Sequence, residues 1–197
     1  AMHFGRLTGD EKNKSMHAQA WWGLAQCQLE QLESVQAREA LYKARATVVD
    51  AGLRARIQYQ LALGLSRDGA HAEAAAGFQN VRTNALEGIS AELLNAARFM
   101  QFRNNLAENS TANAEVLLAE MRTQASASHL DKALLTLARM RIDRQERESA
   151  RAVLVEFQQQ TPGSTLRAAA DLEAIWLLVL EGKWAEVNVG YKKWLQK

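Results

Sequence analysis

The sequence predicts an all-α protein, and three observations support this fold class. The 197-residue chain has one proline and 11 glycines, so residues that break helices are few. Ala, Leu, Gln, Glu and Arg, which favour helices, recur throughout the chain. A pattern of small and apolar residues also recurs several times along the chain at nearly constant spacing. No segment shows the alternation and β-branched enrichment that would predict a strand.

The repeated pattern has a small residue, a large residue four positions later and an apolar residue three positions after that. This spacing places the three side chains on one face of an α-helix. Successive copies are 37, 40, 36 and 37 residues apart, which indicates an internal repeat. The copies are Ala37-Leu41-Ala44, Ala74-Phe78-Val81, Ala114-Leu118-Met121, Ala150-Leu154-Phe157 and Val187-Tyr191-Trp194.

A second pattern, apolar-x-x-apolar-small-x-x-apolar in its ideal form, precedes each copy of the first. Its small position lies 12 residues before the first pattern in four repeats, but 17 residues before it in the third, from Ala97 to Ala114. The five extra residues fall in "NNLAENSTANA", which predicts a longer turn or an extended helix start. The copies are Trp21-Leu24-Ala25-Gln28, Gln58-Leu61-Ala62-Leu65, Leu93-Ala96-Ala97-Met100, Leu134-Leu137-Ala138-Arg141 and Asp171-Ala174-Ile175-Leu178.

Each repeat therefore predicts two antiparallel helices, with Gly69 and Gly182 ending the first helix in two of the turns. Such a pair cannot bury its apolar face alone, so we expect the pairs to stack into one solenoid over residues 1–197. Phe4 and Leu7 fit a partial helix of a preceding repeat at residues 1–14, and we expect both ends to be cut from a longer array. The repeats are predicted at residues 18–50, 55–87, 90–127, 131–162 and 165–197.

The two patterns resemble the tetratricopeptide repeat (TPR). The residues that follow its signature are Trp21, Leu24, Ala25, Ala37, Leu41 and Ala44. Pro162 also stands where that family places its proline, and the resemblance implies a right-handed superhelical solenoid. The chain departs from the family in its period of 36 to 40 residues, and in Gln28 and Arg141, where an aromatic residue is usual. Another helix-pair repeat, such as the Sel1-like class, is the alternative.

Residue types that carry catalysis show no pattern that predicts a site. His3, His17, His71 and His129 lack the i, i+4 pairing of metal ligands and are interpreted as ordinary surface or turn histidines. Cys27 is the single cysteine, so it predicts no intramolecular disulfide and is interpreted as a small core residue. There is no glycine-rich phosphate loop. We therefore expect no catalytic residue, cofactor or metal, and no enzyme activity.

Charge and hydropathy argue against two classes of partner. The net charge of +2 is too small to indicate nucleic acid, and the basic run at residues 139–151 mixes acids with its arginines and lacks interleaved aromatic residues. The longest uncharged apolar run, at residues 174–180, is far shorter than the roughly 20 residues of a membrane span. We expect no nucleic-acid partner and no membrane insertion of this segment.

In the TPR family the first helix of each pair lines a concave face, and ligands usually lie along it. The resemblance therefore implies that another protein or peptide binds there, while adjacent repeats of the same chain pack at the ends. The aromatic, amide and arginine side chains of the first three repeats suit an extended peptide. The alternative is that Trp22 and Trp176 pack neighbouring helices. The predicted groove residues are Gln19, Trp22, Gln26, Arg56, Tyr59 and Arg98.

The function expected from these observations is a non-catalytic scaffold for protein–protein interaction. Arginines outnumber lysines 16 to 8, and alanine is abundant, which indicates a GC-rich bacterial genome. The array resembles those of large bacterial assembly proteins, including periplasmic ones that precede an outer-membrane barrel and help to export exopolysaccharide. That resemblance favours the periplasm over the cytoplasm. The alternative function is a sensor or regulatory segment of a larger multidomain regulator.

Overall fold

A computed structural model describes residues 14–84, 89–124 and 129–196, and the predicted partial helix at residues 1–14 falls outside these ranges except for Lys14. Within them all regular secondary structure is α-helical and there is no strand, which confirms the all-α prediction. The helices are α1 (Lys14–Glu30), α2 (Ser34–Thr47), α3 (Ala51–Arg67), α4 (His71–Thr83), α5 (Ala91–Ala107), α6 (Thr111–Thr123), α7 (Leu130–Asp143), α8 (Arg147–Gln160), α9 (Arg167–Leu180) and α10 (Trp184–Leu195).

The chain divides into two compact units, residues 1–117 and 118–197. In the first unit α1 packs on α2, α2 on α3, α3 on α4 and α4 on α5. In the second unit α7 packs on α8, α8 on α9 and α9 on α10. Each unit is thus built by helices that follow one another along the chain. A single solenoid over all 197 residues stays a prediction.

Five turns of three residues join the helices in pairs, and all five have the same backbone. The middle residue, here called the turn centre, has a φ between 57° and 80°, in the left-handed region. The following N–H donates to the carbonyl five positions earlier, as from Glu33 N to Gln28 O at 2.8 Å, which closes a Schellman motif. The turn centres are Leu32, Gly69, Asn109, Gln145 and Gly182.

The turn centres recur at the period predicted from sequence, since they are 37, 40, 36 and 37 residues apart. Gly69 and Gly182 take the predicted role, because glycine adopts a positive φ without steric cost. The other three turns carry Leu32, Asn109 and Gln145, for which this conformation costs about 1–2 kcal/mol, least for asparagine. Tertiary packing thus imposes the same turn on residues that do not favour it.

The third repeat has the same turn as the others, so the longer turn or extended helix start predicted there is wrong. Helix α5 has 17 residues, as α1 and α3 do, and its turn centre lies five positions before Ala114, the spacing found in every repeat. Consequently Phe102, and not Ala97, occupies the place of Ala62 seven positions before the turn centre. The extra residues precede α5 instead, because seven residues separate α4 from α5 against three between α2 and α3.

This register explains why the sequence pattern predicted the wrong residues for the third repeat. In the third repeat the corrected residues include three polar ones, so the apolar pattern is absent there and a neighbouring apolar set five residues earlier imitates it. The corrected set is Arg98-Gln101-Phe102-Asn105 in place of Leu93-Ala96-Ala97-Met100.

Two further glycines bring paired helices close together. Each lies eight positions after a turn centre and faces the small-residue position of the first helix. A Cβ on Gly77 would lie 2.9 Å from Ala62 Cβ, and one on Gly190 would lie 3.0 Å from Ile175 Cγ1. These separations are shorter than ordinary Cβ contacts, so glycine allows the helices of the second and fifth pairs to approach closely at this position.

The core lies between consecutive helices. One cluster joins α1, α2 and α3, and its buried members include Ala25, Leu41 and Ile57. Another joins α3, α4 and α5 around Ala62 and Phe78, the latter with no exposed surface. Because α3 contributes to both clusters, the packing continues from the first pair to the second.

Candidate partner-binding surface

The six predicted groove residues all lie on first helices of the first unit. Gln19 and Arg56 are exposed, while the other four are half-buried. They are distributed as Gln19, Trp22 and Gln26 on α1, Arg56 and Tyr59 on α3, and Arg98 on α5.

Distances to the turn centre show which of these residues are structurally equivalent. Gln19 and Arg56 both lie 13 positions before their turn centres. Trp22 and Tyr59 both lie 10 positions before theirs, so each pair occupies the same place on successive first helices. Arg98 does not belong to either set, since it lies 11 positions before Asn109.

The residue equivalent to Trp22 and Tyr59 on α5 is Phe99. We call Trp22, Tyr59 and Phe99 the aromatic row. Sequence reasoning missed Phe99 because the register of the third repeat was displaced by five residues. The available signal was Asn109, which tolerates the left-handed conformation better than most residues and follows helix-forming sequence as Gly69 does.

The aromatic row is partly committed to the core. Trp22 packs against the cluster that joins α1, α2 and α3. This residue therefore contributes to helix packing, the alternative role considered for it from the sequence. The ring of Tyr59 meets Phe78 edge-on, with ring centroids 5.3 Å apart and an interplanar angle of 65°. Burial raises the pKa of Tyr59 above its ordinary value of 10.0. Trp176, by contrast, is 49% exposed.

Two exposed arginines flank the row. Arg56 lies one helical turn before Tyr59, and Arg103 lies one turn after Phe99. Arg103 is equivalent to Gln26, since each lies six positions before its turn centre. Neither arginine has an ion pair among the described residues. Arg98, in contrast, donates to Asn95 Oδ1 on its own helix at 2.8 Å. The accessible charge beside the aromatic row is therefore positive.

Buried polar groups join α4 to α5. Asn104 is 1% exposed; its Nδ2 donates to the Met100 carbonyl at 2.7 Å, and its Oδ1 lies 2.9 Å from His71 Nδ1. Because that oxygen is an acceptor, this geometry assigns the proton to Nδ1 of the imidazole. Arg82 Nη1 donates to Gln101 Oε1 at 2.6 Å in the same interface. His71 thus directly follows a turn, as the sequence allowed, and is half-buried there by its contact with Asn104.

Other candidate chemistry is sparse in the described part of the chain. Cys27 is half-buried on α1, less enclosed than the predicted core position. Residues 14–84, 89–124 and 129–196 contain no group of three or more His, Cys, Asp or Glu side chains that could hold a metal ion. None of the helices described in these ranges has the length and apolar character needed to cross a membrane.

Ion pairs connect successive helix pairs at equivalent positions. Arg38 pairs with Asp68, and Arg151 pairs with Glu181; in both cases the arginine lies six positions after one turn centre and the acid one position before the next. These pairs join residues 30 apart in sequence. Equivalent contacts at equivalent positions indicate that the repeat governs the packing between pairs as well as within them.

Comparison of the sequence with known proteins gives no match, either to a protein-family model or to a curated protein.

Proposed function

We propose that this chain is a segment of a TPR-like, right-handed solenoid that acts as a non-catalytic scaffold and binds another protein or peptide along its first helices. The observation that carries the proposal is the aromatic row, placed at one repeat position on α1, α3 and α5 with Arg56 and Arg103 beside it. A repeated surface of this kind suits an extended ligand that contacts one repeat after another.

The physical properties of the row favour protein recognition. Aromatic and arginine side chains supply much of the energy of interface hot spots, about 2 kcal/mol or more each when central. Trp22 and Tyr59 are already held by core packing, so little side-chain entropy remains to be lost when a partner binds. Arg56 and Arg103, which have no ion pair among the described residues, favour acidic residues in that partner. The proposed ligand is therefore an extended acidic peptide with apolar residues.

We further propose a bacterial assembly protein as the setting, with periplasmic exopolysaccharide export as the specific case. Its support is the helix-pair repeat together with the excess of arginine over lysine. Adjacent repeats of the same chain would contact the terminal pairs, in agreement with the apolar surface of α10, where Tyr191 and Leu195 are exposed.

Photo-crosslinking tests the binding face. A benzophenone amino acid at position 56 or 103 of the natural full-length protein should crosslink one and the same partner protein. The same probe at position 45, which holds an exposed arginine on the second helix α2, is the matched control. Arg56→Glu should reduce the crosslink from position 103 at least tenfold, with unchanged helicity. Crosslinking from position 45 alone, or an unchanged yield in Arg56→Glu, would show that the first-helix face does not bind the partner.

A further inference from the structure

The junction between the first and second helix pairs occupies the same repeat positions as the junction between the fourth and fifth. We call them the first and fourth junctions. In the fourth, Ile142, Ala150 and Leu177 form a buried cluster in which Leu177 is 1% exposed. Counted from the turn centres, the equivalent residues of the first junction are Leu29, Ala37 and Gly64.

The two junctions also share their polar rim. Arg38 and Asp68 of the first junction occupy the positions of Arg151 and Glu181 in the fourth, and both are ion pairs. The backbone of the turn and an arginine–acid ion pair are therefore common to both junctions. At the position where Leu177 fills the fourth junction, Gly64 provides no side chain.

A cavity lies where that side chain is missing. It has a volume of about 170 Å³, and Leu29, Leu41 and Leu61 form its apolar floor beside Gly64. A Cβ built on Gly64 would meet nothing closer than Arg38 Nε at 3.9 Å. We call this cavity the Gly64 notch. Gly64 stands at the repeat position of the buried Leu177, and Leu29 of the floor stands at the position of Ile142, which packs with Leu177.

The rim of the notch carries a positive charge as well as polar groups. Arg67 lines it and has no ion pair among the described residues, while Arg38 is neutralised by Asp68. Ser34 and Gln60 add a hydroxyl and an amide. A group that enters the notch therefore meets apolar carbon at the bottom and an available guanidinium at the edge, which attracts a carboxylate.

The second junction shows the other way in which this position can be filled. There Asn104 occupies the place of Gly64, and its side chain bonds to His71, which stands at the position of Ser34. In the first junction the shorter Ser34 and the leucine-lined floor favour an apolar group over an amide.

We propose that the Gly64 notch binds a leucine side chain of a protein partner, with a neighbouring carboxylate of that partner held by Arg67. The notch lies at the turn end of the helices, so this site is distinct from the aromatic row and independent of the proposed scaffold function. Leu177 of the same molecule shows how such a leucine is held, since it lies beside the equivalent ion pair and among equivalent residues.

Nuclear magnetic resonance titration of the ¹⁵N-labelled 197-residue chain tests the notch. The probe is N-acetyl-leucine, which carries both the isobutyl group and the carboxylate. It should cause saturable shifts at the amides of Leu61, Gly64 and Arg67. N-acetyl-alanine should bind about tenfold more weakly, because it lacks most of the apolar surface. N-acetyl-leucinamide should also bind more weakly, because it lacks the carboxylate.

Two variants of the chain make the result specific. Gly64→Leu should abolish the shifts, since its own side chain fills the notch, while its far-ultraviolet circular dichroism stays unchanged. Arg67→Gln should weaken N-acetyl-leucine about threefold and leave N-acetyl-leucinamide unaffected. Absence of saturable shifts, the same shifts in Gly64→Leu, or tighter binding of N-acetyl-asparagine than of N-acetyl-leucine would overturn the proposal. None of these outcomes decides the proposed scaffold function, which crosslinking at position 56 tests separately.

Discussion

The first and fourth junctions share a turn, an ion pair and a cluster of equivalent positions, yet one is filled and the other is open. Leu177 is buried in the fourth, whereas Gly64 leaves a cavity of about 170 Å³ in the first. The acid of the ion pair differs as well, since the Glu181 side chain is 11% exposed and that of Asp68 is 48% exposed. Repetition of the backbone therefore does not require repetition of the packing.

The junction between the second and third pairs also differs in its packing, because polar groups fill it. Asn104 fills it and bonds to His71, while Arg82 bonds to Gln101. Such a buried network is stable only when its members are paired. Three equivalent junctions thus carry a glycine, an asparagine and a leucine at one position, and each choice gives the junction a different physical character.

The largest expected effect comes from emptying the fourth junction. Leu177→Ala removes a fully buried leucine and leaves a cavity, so the free energy of unfolding should fall by about 2–5 kcal/mol. Leu180→Ala on the same helix is the control, because that side chain is 36% exposed and should cost much less. Urea unfolding followed by circular dichroism measures both. A cost of Leu177→Ala no larger than that of the control would mean that the fourth junction is not filled as described.

Alanine substitutions at two helical glycines, Gly77 and Gly64, should change the free energy of unfolding in opposite directions. Gly77→Ala places a Cβ 2.9 Å from Ala62 Cβ and should destabilise by about 1–3 kcal/mol, more than the gain in helix propensity. Gly64→Ala places a Cβ in ordinary contact with Arg38 Nε, at 3.9 Å, and should stabilise by up to about 1 kcal/mol. The same unfolding measurement applies to both variants. Equal effects of one sign would show that the notch is not a local property of Gly64.

Turn-centre substitutions test whether the two junctions begin from the same backbone. Leu32 and Gln145 precede the first and fourth junctions, and each has a φ of 62°. Glycine relieves this strain but increases the entropy of the unfolded chain, so Leu32→Gly and Gln145→Gly should each stabilise by about 0.5–1 kcal/mol. Gly69→Ala should destabilise by a similar amount. Different signs for Leu32→Gly and Gln145→Gly in thermal unfolding would contradict the equivalence of the turns.

The smallest effect concerns pH at the fourth junction. Lys183, and then Arg151, lower the pKa of the Glu181 carboxyl below its ordinary value of 4.5. A lowered pKa in the folded state gives stability that is present above the unfolded value and is lost as pH falls through the folded value.

Glu181→Gln removes this contribution, so the stability difference between wild type and variant should be largest above about pH 5 and disappear in stronger acid. Glu115→Gln, at an exposed glutamate without an ion pair among the described residues, is the control and should show no such trend. Unfolding free energies measured from neutral pH down to acid decide the matter. A difference for Glu181→Gln that is constant with pH would contradict the ion pair.

The period of the helices could be predicted from sequence because apolar spacing reports directly on which face of a helix is buried. The register of α5 could not, since Arg98, Gln101 and Asn105 replace the expected apolar residues. Of these, Gln101 is buried and accepts a hydrogen bond from Arg82 on α4. That displacement in turn hid Phe99 from the predicted groove.

The turn at Gly69 could be predicted because glycine favours a positive φ, whereas nothing in the residue type of Leu32 or Gln145 indicates one. The roles of Gly77 and Gly64 were equally hidden. Both are helical glycines in the sequence, and only the neighbouring helix decides that one prevents a clash and the other opens a cavity.

The most direct measurement is the free energy of unfolding of Gly64→Leu relative to Gly64→Ala. Both substitutions remove a helical glycine, and leucine has slightly lower helix propensity than alanine, so any advantage of leucine must come from filling the notch. If the first junction is the fourth junction without its leucine, Gly64→Leu is more stable than Gly64→Ala by about 1 kcal/mol. If Gly64→Leu is instead the less stable of the two, the junctions are not copies and the notch cannot receive a leucine side chain.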